Sequence, residues 1–261
     1  MNMYPSIDIQ NSLPDDISLK IASSLQVFDL CSLGGCSRFW RELCGSDCVW
    51  EGLCKDRWGG IVVDDDNSSS SESQSHELHQ EMVSNPKGWR ELYISKHNEM
   101  AEKAASVINF MERNIAYESI EAGTYLKAIE LLNSQQFGFK DVQMFLLKPK
   151  LNVLLNLVGL HYCIIWLGVP AEYVIEALDS GQISERQVCV QWWKLGRWFY
   201  GFRLRDELHS RNVSLGDLAA CNEEVLGVLR RGAIHEVIRV QISPAKPAST
   251  SWSYQVAQSV N

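Results

Sequence analysis

The 261-residue sequence predicts an all-α protein in which a short N-terminal helical module precedes a larger helical bundle. Over most of the chain, apolar residues recur three and four positions apart, which is the spacing of one face of an α-helix. Residues 61–85 interrupt this pattern with acidic residues and a run of serines, a composition that cannot bury enough apolar surface to fold. We therefore predict a module at 1–60, an acidic flexible linker at 61–85, a helical domain at 86–242 and a disordered tail at 243–261.

The first helix of the module is predicted to start at Pro14. Proline suits the first helical position, where no amide donor is needed, and the following Asp15 favours the positive end of the helix dipole. Ile17, Ile21 and Leu25 then recur every four residues and form one apolar stripe.

Three more helices are predicted before residue 60, each from a capping residue or an apolar repeat. The residues that mark them are Asp29 as a cap with Leu30 and Leu33, then Trp40 with Leu43, then Ser46 or Asp47 with Trp50 and Leu53. Below about 70 residues, a single core supplies only a few kcal/mol of stability. The module contains more apolar residues than such a core can hold. We therefore expect a partner protein to cover the remaining ones.

The order and spacing of these residues over 13–58, under a fifth of the chain, resembles an F-box. The resemblance implies a three-helix module that docks onto the Skp-type adaptor of a cullin ubiquitin ligase. It also implies which residues contact the adaptor: the Leu-Pro pair, the Ile and Leu ladder and a Trp. In this sequence those positions are Leu13, Pro14, Ile17, Ile21, Leu25, Leu30, Leu33 and Trp40.

Composition bears on partners and compartment. The net charge of -8 argues against nucleic acid as the main partner, because phosphate binding needs clustered Lys and Arg. Residues 151–169 are the one candidate for a membrane span, but they include Asn152, Asn156 and His161, so a buried core helix is favoured and no membrane partner is expected. Residues 1–12 lack an apolar signal region, which predicts a cytoplasmic or nuclear protein with reduced thiols.

The predicted second domain is a series of helices. Two are marked by amphipathic stripes, a central one spans 151–168, a short one runs from Pro170 to about Gly181, and the last runs from about Asn222 to Gly232. Residues 233–242 alternate in polarity, so a terminal strand is an alternative there. The two stripes are Ala101, Ala104, Ile108, Met111 and Ile115, then Ala122, Tyr125, Ile129 and Leu132.

Residues 185–207 form the most aromatic stretch, predicted as one long helix with a Ser184–Gln187 capping box. Its apolar residues would cover a wide arc, which favours a buried helix. The alternative is a groove whose Trp side chains face outward, since Trp and Tyr dominate protein–protein hot spots. The candidate target-binding residues are Trp192, Trp193, Arg197 and Trp198, with Arg203 and Arg205 nearby.

No pattern predicts an enzyme, a metal site or a cofactor. His161 and Cys163 are two residues apart, so on a helix they point in different directions and do not form a nucleophile–base pair. The cysteines of the module show no Cys-x-x-Cys spacing for zinc.

The resemblance to an F-box therefore implies a non-catalytic receptor that binds a Skp-type adaptor and, through it, a cullin, and that presents an unidentified target protein for ubiquitination. Two alternatives stay open. One is an F-box scaffold that acts outside the ligase. The other is a small-ligand receptor with an apolar pocket near His161, Trp166 and residues 192–198.

Overall fold

A computed structural model describes residues 13–59, 88–115, 118–220 and 223–245. The chain divides into two compact units, with the boundary between Met100 and Ala101. The predicted linker at 61–85 and residues 246–261 of the predicted tail lie outside the described residues.

The first unit is helical throughout its described part. Asp15 and Asp16 occupy the first turn of the first helix, as predicted, and Pro14 is its N-cap, one residue before the first helical position. Asp29 does not cap the second helix as predicted, because that helix starts earlier, with Gln26 as its N-cap. The helices are α1 (Asp15–Ser23), α2 (Val27–Gly34), α3 (Arg38–Cys44), α4 (Asp47–Trp58) and the first part of α5 (Trp89–Asn114).

A small core holds these helices together. Trp50 of α4 is buried, and its indole N–H donates to the backbone oxygen of Cys44 at 2.8 Å. Tyr93 of α5 meets the Trp50 ring edge-on, with ring centroids 5.4 Å apart. The buried members of the core are Ala22, Leu30, Cys44, Val49, Trp50, Cys54 and Tyr93.

Two polar contacts fix α5 against α4. The Asp47 carboxylate accepts the backbone N–H of Trp89 at 3.1 Å and so caps the start of α5. Buried Arg57 donates to the hydroxyl of Tyr93 at 2.9 Å, and its guanidinium lies 4.5 Å from the centre of the Trp58 ring. The first turns of α5 therefore complete the core that α1–α4 begin.

The second unit mixes helices with two antiparallel sheets. Its helical elements are the rest of α5, α6 (Ala122–Ser134), α7 (Phe139–Phe145), α8 (Val153–His161), a π-helical turn (Tyr162–Trp166), α9 (Ala171–Ser180), α10 (Leu215–Ala219) and α11 (Glu223–Arg231). Its strands are β1 (Ile120–Glu121), β2 (Gln187–Lys194), β3 (Trp198–Phe199), β4 (Phe202–Arg203), β5 (Glu207–Ser214) and β6 (Val237–Pro244).

Four strands form the main sheet, in the order β1-β6-β2-β5. β2 pairs with β5 from Gln187↔Ser214 to Lys194↔Glu207, and with β6 on its other side. The buried sheet residues are Ile120 on β1, Val188, Val190 and Trp192 on β2, Val213 and Ser214 on β5, and Val240 and Ile242 on β6. α6 and α8 pack against β6, and α8 also packs against β2.

α8 is the centre of the second unit, because every residue from Val153 to His161 is buried. This confirms the prediction of a central buried helix. None of the helices in the described part of the chain is long and apolar enough to cross a membrane.

The prediction of an all-α protein is wrong, because residues 185–207 form strands and a hairpin instead of one helix. The misleading signal was the spacing of Val188 and Trp192. Four residues is close to one helical turn, but it is also two strand repeats, and Val190 between them is buried as well. The supposed capping box fails too, since Gln187 begins β2. The terminal strand suggested by 233–242 is confirmed as β6.

Candidate functional sites

Helix α1 leaves part of its apolar stripe in solvent. Ile17 and Ile21, one turn apart, are 43% and 41% exposed, and Pro14 at the N-cap is exposed as well. Ser18 and Ala22, at the neighbouring positions, are buried against α3 and α4 instead. We call Pro14, Ile17 and Ile21 the α1 face.

A further exposed apolar side chain lies at the start of α2. Phe28 is 81% exposed, whereas Leu30 two residues later is fully buried. Phe28 was not predicted as a site residue. The sequence does contain a sign of its exposure. Phe28 stands beside Asp29 in the first turn of a helix and does not belong to the apolar stripe of Leu30 and Leu33.

The remaining predicted adaptor residues lie at different depths. Leu30 is in the core, and Leu13, Leu25, Leu33 and Trp40 are partly buried. The predicted residues thus fall into two groups by exposure. The residues of the α1 face are exposed to solvent, and the others are buried or partly buried. Their contacts with an adaptor remain predictions.

The second unit carries a small hairpin between the ends of β2 and β5. β3 and β4 pair as Trp198↔Arg203 and Phe199↔Phe202, and Tyr200 and Gly201 form the turn. We call residues 195–206 the aromatic hairpin. Its exposed large apolar side chains are Leu195, Trp198, Phe199, Tyr200, Phe202 and Leu204.

The four predicted target-binding residues separate into two pairs. Trp192 is buried in β2 and stacks on His209 with centroids 5.5 Å apart, while half-buried Trp193 lies under the guanidinium of Arg239 at 5.0 Å. These two side chains belong to the sheet. Arg197 and Trp198 are both exposed and belong to the aromatic hairpin.

His161 and Cys163 are core residues. Tyr125 Oη lies 2.9 Å from His161 Nδ1, and burial, with a smaller contribution from Arg230, lowers the pKa of His161 to about 4. Burial also raises the pKa of the Cys163 thiol. Both groups are therefore held neutral, the opposite of the thiolate–imidazolium pair that a cysteine nucleophile requires. Trp166, the other residue of the predicted pocket, is exposed.

Besides Phe28, the residues that sequence reasoning missed are those whose role depends on the hairpin. Tyr200, Gly201 and Phe202 were assigned to a helix, where they would have been part of a buried arc. The available signal was the Gly that follows two β-enriched segments, since a positive-φ residue between alternating apolar residues marks a two-residue hairpin turn.

The four short helices form a small helical module whose α1 face lies in solvent. Residues 10–56 match the F-box-like family model. The chain therefore carries an F-box-like domain at its N-terminus.

Curated relatives match the same segment. A probable E3 ubiquitin ligase complex SCF subunit sconB from Arthroderma otae is 43% identical over 49 residues, which are 19% of this chain and 7% of that protein. F-box only protein 8 from Homo sapiens is 39% identical over 51 residues, 20% of this chain and 15% of that protein. The chain thus spans only a small part of the length of these relatives, and no solved structure matches it.

Proposed function

We propose that the protein is the substrate-recognition subunit of a Skp–cullin–F-box ubiquitin ligase in the cytosol or nucleus. The F-box-like domain would hold the Skp-type adaptor, and the adaptor would connect it to a cullin. The observation that carries this proposal is the α1 face, which lies inside the F-box-like match and leaves two isoleucines in solvent.

The physical basis is incomplete burial. A module as small as α1–α4 gains little from its own core. Ile17 and Ile21 are each about two-fifths exposed, so a partner that covers the rest of each side chain adds about 1 kcal/mol of favourable transfer per residue. The similarity to a probable SCF subunit of a ubiquitin ligase complex supports the same partner class.

The mechanism is proximity. A target held by the second unit would reach a high effective concentration near the ubiquitin-conjugating enzyme. This chain would contribute binding and orientation, without a catalytic residue of its own.

The test is adaptor co-purification with the double variant Ile17→Asp, Ile21→Asp. We expect adaptor affinity to fall by about 100-fold or more, because two aliphatic contacts are lost and two carboxylates would be desolvated. Ile94→Asp is the matched control, since Ile94 lies on α5 of the same unit and is similarly exposed. Equal adaptor binding by the double variant and the control would refute the proposal, provided that circular dichroism shows both to be folded.

A second measurement separates ligase from scaffold. Cullin should co-purify with the wild-type chain and adaptor, and be lost with Ile17→Asp, Ile21→Asp. Adaptor binding without cullin under any condition would favour a scaffold that works outside the ligase.

A further inference from the structure

The aromatic hairpin concentrates exposed apolar side chains to an extent seen nowhere else in the described residues of the second unit. Tyr200 is 87% exposed and Trp198 is 73% exposed, in a segment that also exposes Phe199 and Phe202. Elsewhere in the described part of this unit, exposed aromatic side chains occur singly, as Trp166 and Tyr173 do. Scattered exposed apolar residues need no explanation, whereas a contiguous group marks an interaction surface.

The turn of the hairpin is built against local preference. Tyr200 has φ 45° and Gly201 has φ 83°, so both central residues are in the left-handed region, as in a type I′ turn. Such turns favour Asn, Asp or Gly at the first position, and a bulky residue with positive φ is an outlier. Since folding would be better served by Asn or Gly, the tyrosine ring points to a role in contact with something else.

The base of the hairpin is held in place. The Asp206 carboxylate accepts the backbone N–H of Gly196 at 2.9 Å and the Arg203 guanidinium at 2.7 Å. These two contacts, the Gly196 N–H first, hold the pKa of Asp206 below its usual value. The N–H of Leu204 also donates to the backbone oxygen of Arg197 at 2.9 Å. A projecting surface fixed in this way loses less entropy when it binds.

The hairpin also carries positive charge on an acidic protein. Arg203 is paired with Asp206, but the exposed side chains of Arg197 and Arg205 contact no carboxylate or hydrogen-bond acceptor among the described residues. The whole chain has a net charge of -8, so two uncompensated guanidinium groups beside a group of aromatic rings are a local departure from its composition. Arginine with Trp and Tyr is also the residue set that dominates protein-binding hot spots.

We propose that the aromatic hairpin is the target-binding surface, and that its ligand is an acidic peptide segment of the target that also carries an apolar side chain. This inference rests on the proposed function for the identity of the partner as a ligase target. Carboxylates of the segment would pair with Arg197 and Arg205, and its apolar side chain would cover Trp198 and Tyr200.

Other occupants fit the hairpin less well. A second copy of this chain, docked hairpin to hairpin, would bring the unpaired arginines of both copies together. Nucleic acid binding needs many cationic groups to neutralise phosphates. The hairpin offers two unpaired arginines, and the chain as a whole has a net charge of -8.

The test is a selection from a random library of short displayed peptides on the full chain, bound to its adaptor. We expect the selected peptides to be enriched in Asp and Glu together with an apolar residue. The double variant Trp198→Ala, Tyr200→Ala should bind them about tenfold or more weakly. Trp166→Ala, Tyr173→Ala is the matched control, because it removes the same two ring types from exposed positions of the same unit.

Charge reversal gives a sharper second test. Arg197→Glu, Arg205→Glu should lose the acidic peptides and gain affinity for versions in which Lys replaces Asp and Glu. Lys148→Glu, Lys150→Glu removes the same charge from exposed positions and should leave acidic peptide binding unchanged.

Several results would overturn the proposal. One is a selection in which no class of peptide is enriched. The others are the selection of neutral or basic peptides, and the selection of peptides that bind the hairpin variants as tightly as the wild-type chain. Dimers that dissociate on Tyr200→Ala, or binding to phosphatidylserine vesicles in place of peptides, would assign the hairpin to self-association or to a lipid surface. Adaptor co-purification in the same samples reports on the ligase role separately, so either idea can fail while the other stands.

Discussion

The α1 face and the aromatic hairpin are two exposed apolar surfaces of opposite character. The α1 face consists of aliphatic side chains on a regular helix whose first turn carries Asp15 and Asp16. The hairpin consists of aromatic rings with arginines, on a turn with a left-handed Tyr200. This difference in charge and shape is what the two proposals require, since each assigns its surface to a different partner.

The two surfaces also differ in how they relate to the core beneath them. The α1 face shares its short helix with buried Ser18 and Ala22, so each exposed isoleucine is next in sequence to a buried residue. The hairpin projects from the ends of β2 and β5, and its exposed rings are separate in sequence from the buried residues of those strands. Substitutions should therefore disturb folding more readily in the first unit than at the hairpin.

Replacing one leucine by alanine in each region should give the largest difference in the free energy of unfolding. Leu30→Ala should destabilise the first unit by about 2–5 kcal/mol, because a fully buried side chain is replaced by a cavity. Leu204→Ala on the exposed hairpin should change the free energy of unfolding by less than about 0.5 kcal/mol. Urea denaturation measures both. A comparable loss for the two variants would show that the hairpin is part of a core.

The stability of the second unit, which carries the hairpin, should depend on pH through His161. Its pKa is lowered to about 4, whereas an unfolded histidine titrates near 6.5. The unfolded chain thus binds more protons between these values, so stability is fully present above pH 6.5 and falls by roughly 3 kcal/mol as the pH drops to 4.

The measurement is chemical denaturation at several pH values, with His161→Gln as the comparison. Glutamine can keep a polar contact with the Tyr125 hydroxyl but does not titrate. We expect a flatter profile for this variant between pH 6.5 and 4. Parallel profiles for the two proteins would show that His161 does not control the acid sensitivity.

The base of the hairpin should be sensitive to a single methyl group. A Cβ on Gly196 would lie 2.0 Å from the backbone oxygen of Leu204, so Gly196→Ala must displace one of the two segments that connect the hairpin to β2 and β5. We expect a loss of about 1–3 kcal/mol and weaker peptide binding. Gly123→Ala on α6 is the control, since a Cβ there meets nothing within 4 Å. Native stability and binding in Gly196→Ala would show that the hairpin is not held rigidly at its base.

The smallest expected effect has opposite signs for stability and binding. Tyr200→Asn places a residue that tolerates positive φ at the turn, so it should stabilise the protein by roughly 1 kcal/mol while weakening peptide binding. Tyr173→Asn on α9 should not stabilise, because that position is helical. Thermal denaturation and peptide titration test the pair. If Tyr200→Asn destabilised the protein, the tyrosine would be there for folding.

The start and the exposed face of α1 could be predicted from the sequence because their signals are local, whereas the cap of α2 and the contribution of Tyr93 on α5 to the core could not. Pro14, Asp15 and the Ile17–Ile21 repeat specify a helix start and one face within a few residues. The exposure of that face could also be anticipated, since the module is too small to bury it. Phe28 could not be placed in the same way, because its exposure depends on how α2 packs.

The sheet of the second unit depends on contacts that are distant in sequence. Trp192 pairs with His209 on one side and with Val240 on the other, and no local pattern specifies those partners. Val188 and Trp192 fit a helix and a strand equally well. The helices around the sheet were predictable, since Tyr125 and Ile129 on α6 follow an unambiguous helical repeat and are buried.

The continuous pairing from Gln187↔Ser214 to Lys194↔Glu207 has a practical consequence. It fixes the end of β2 and the start of β5, to which residues 195–206 are attached, much as a framework holds an antibody loop. Residues 195–206 could then be exchanged for other loops of the same span, so the unit could serve as a scaffold that displays a chosen loop while the rest of its fold stays as it is.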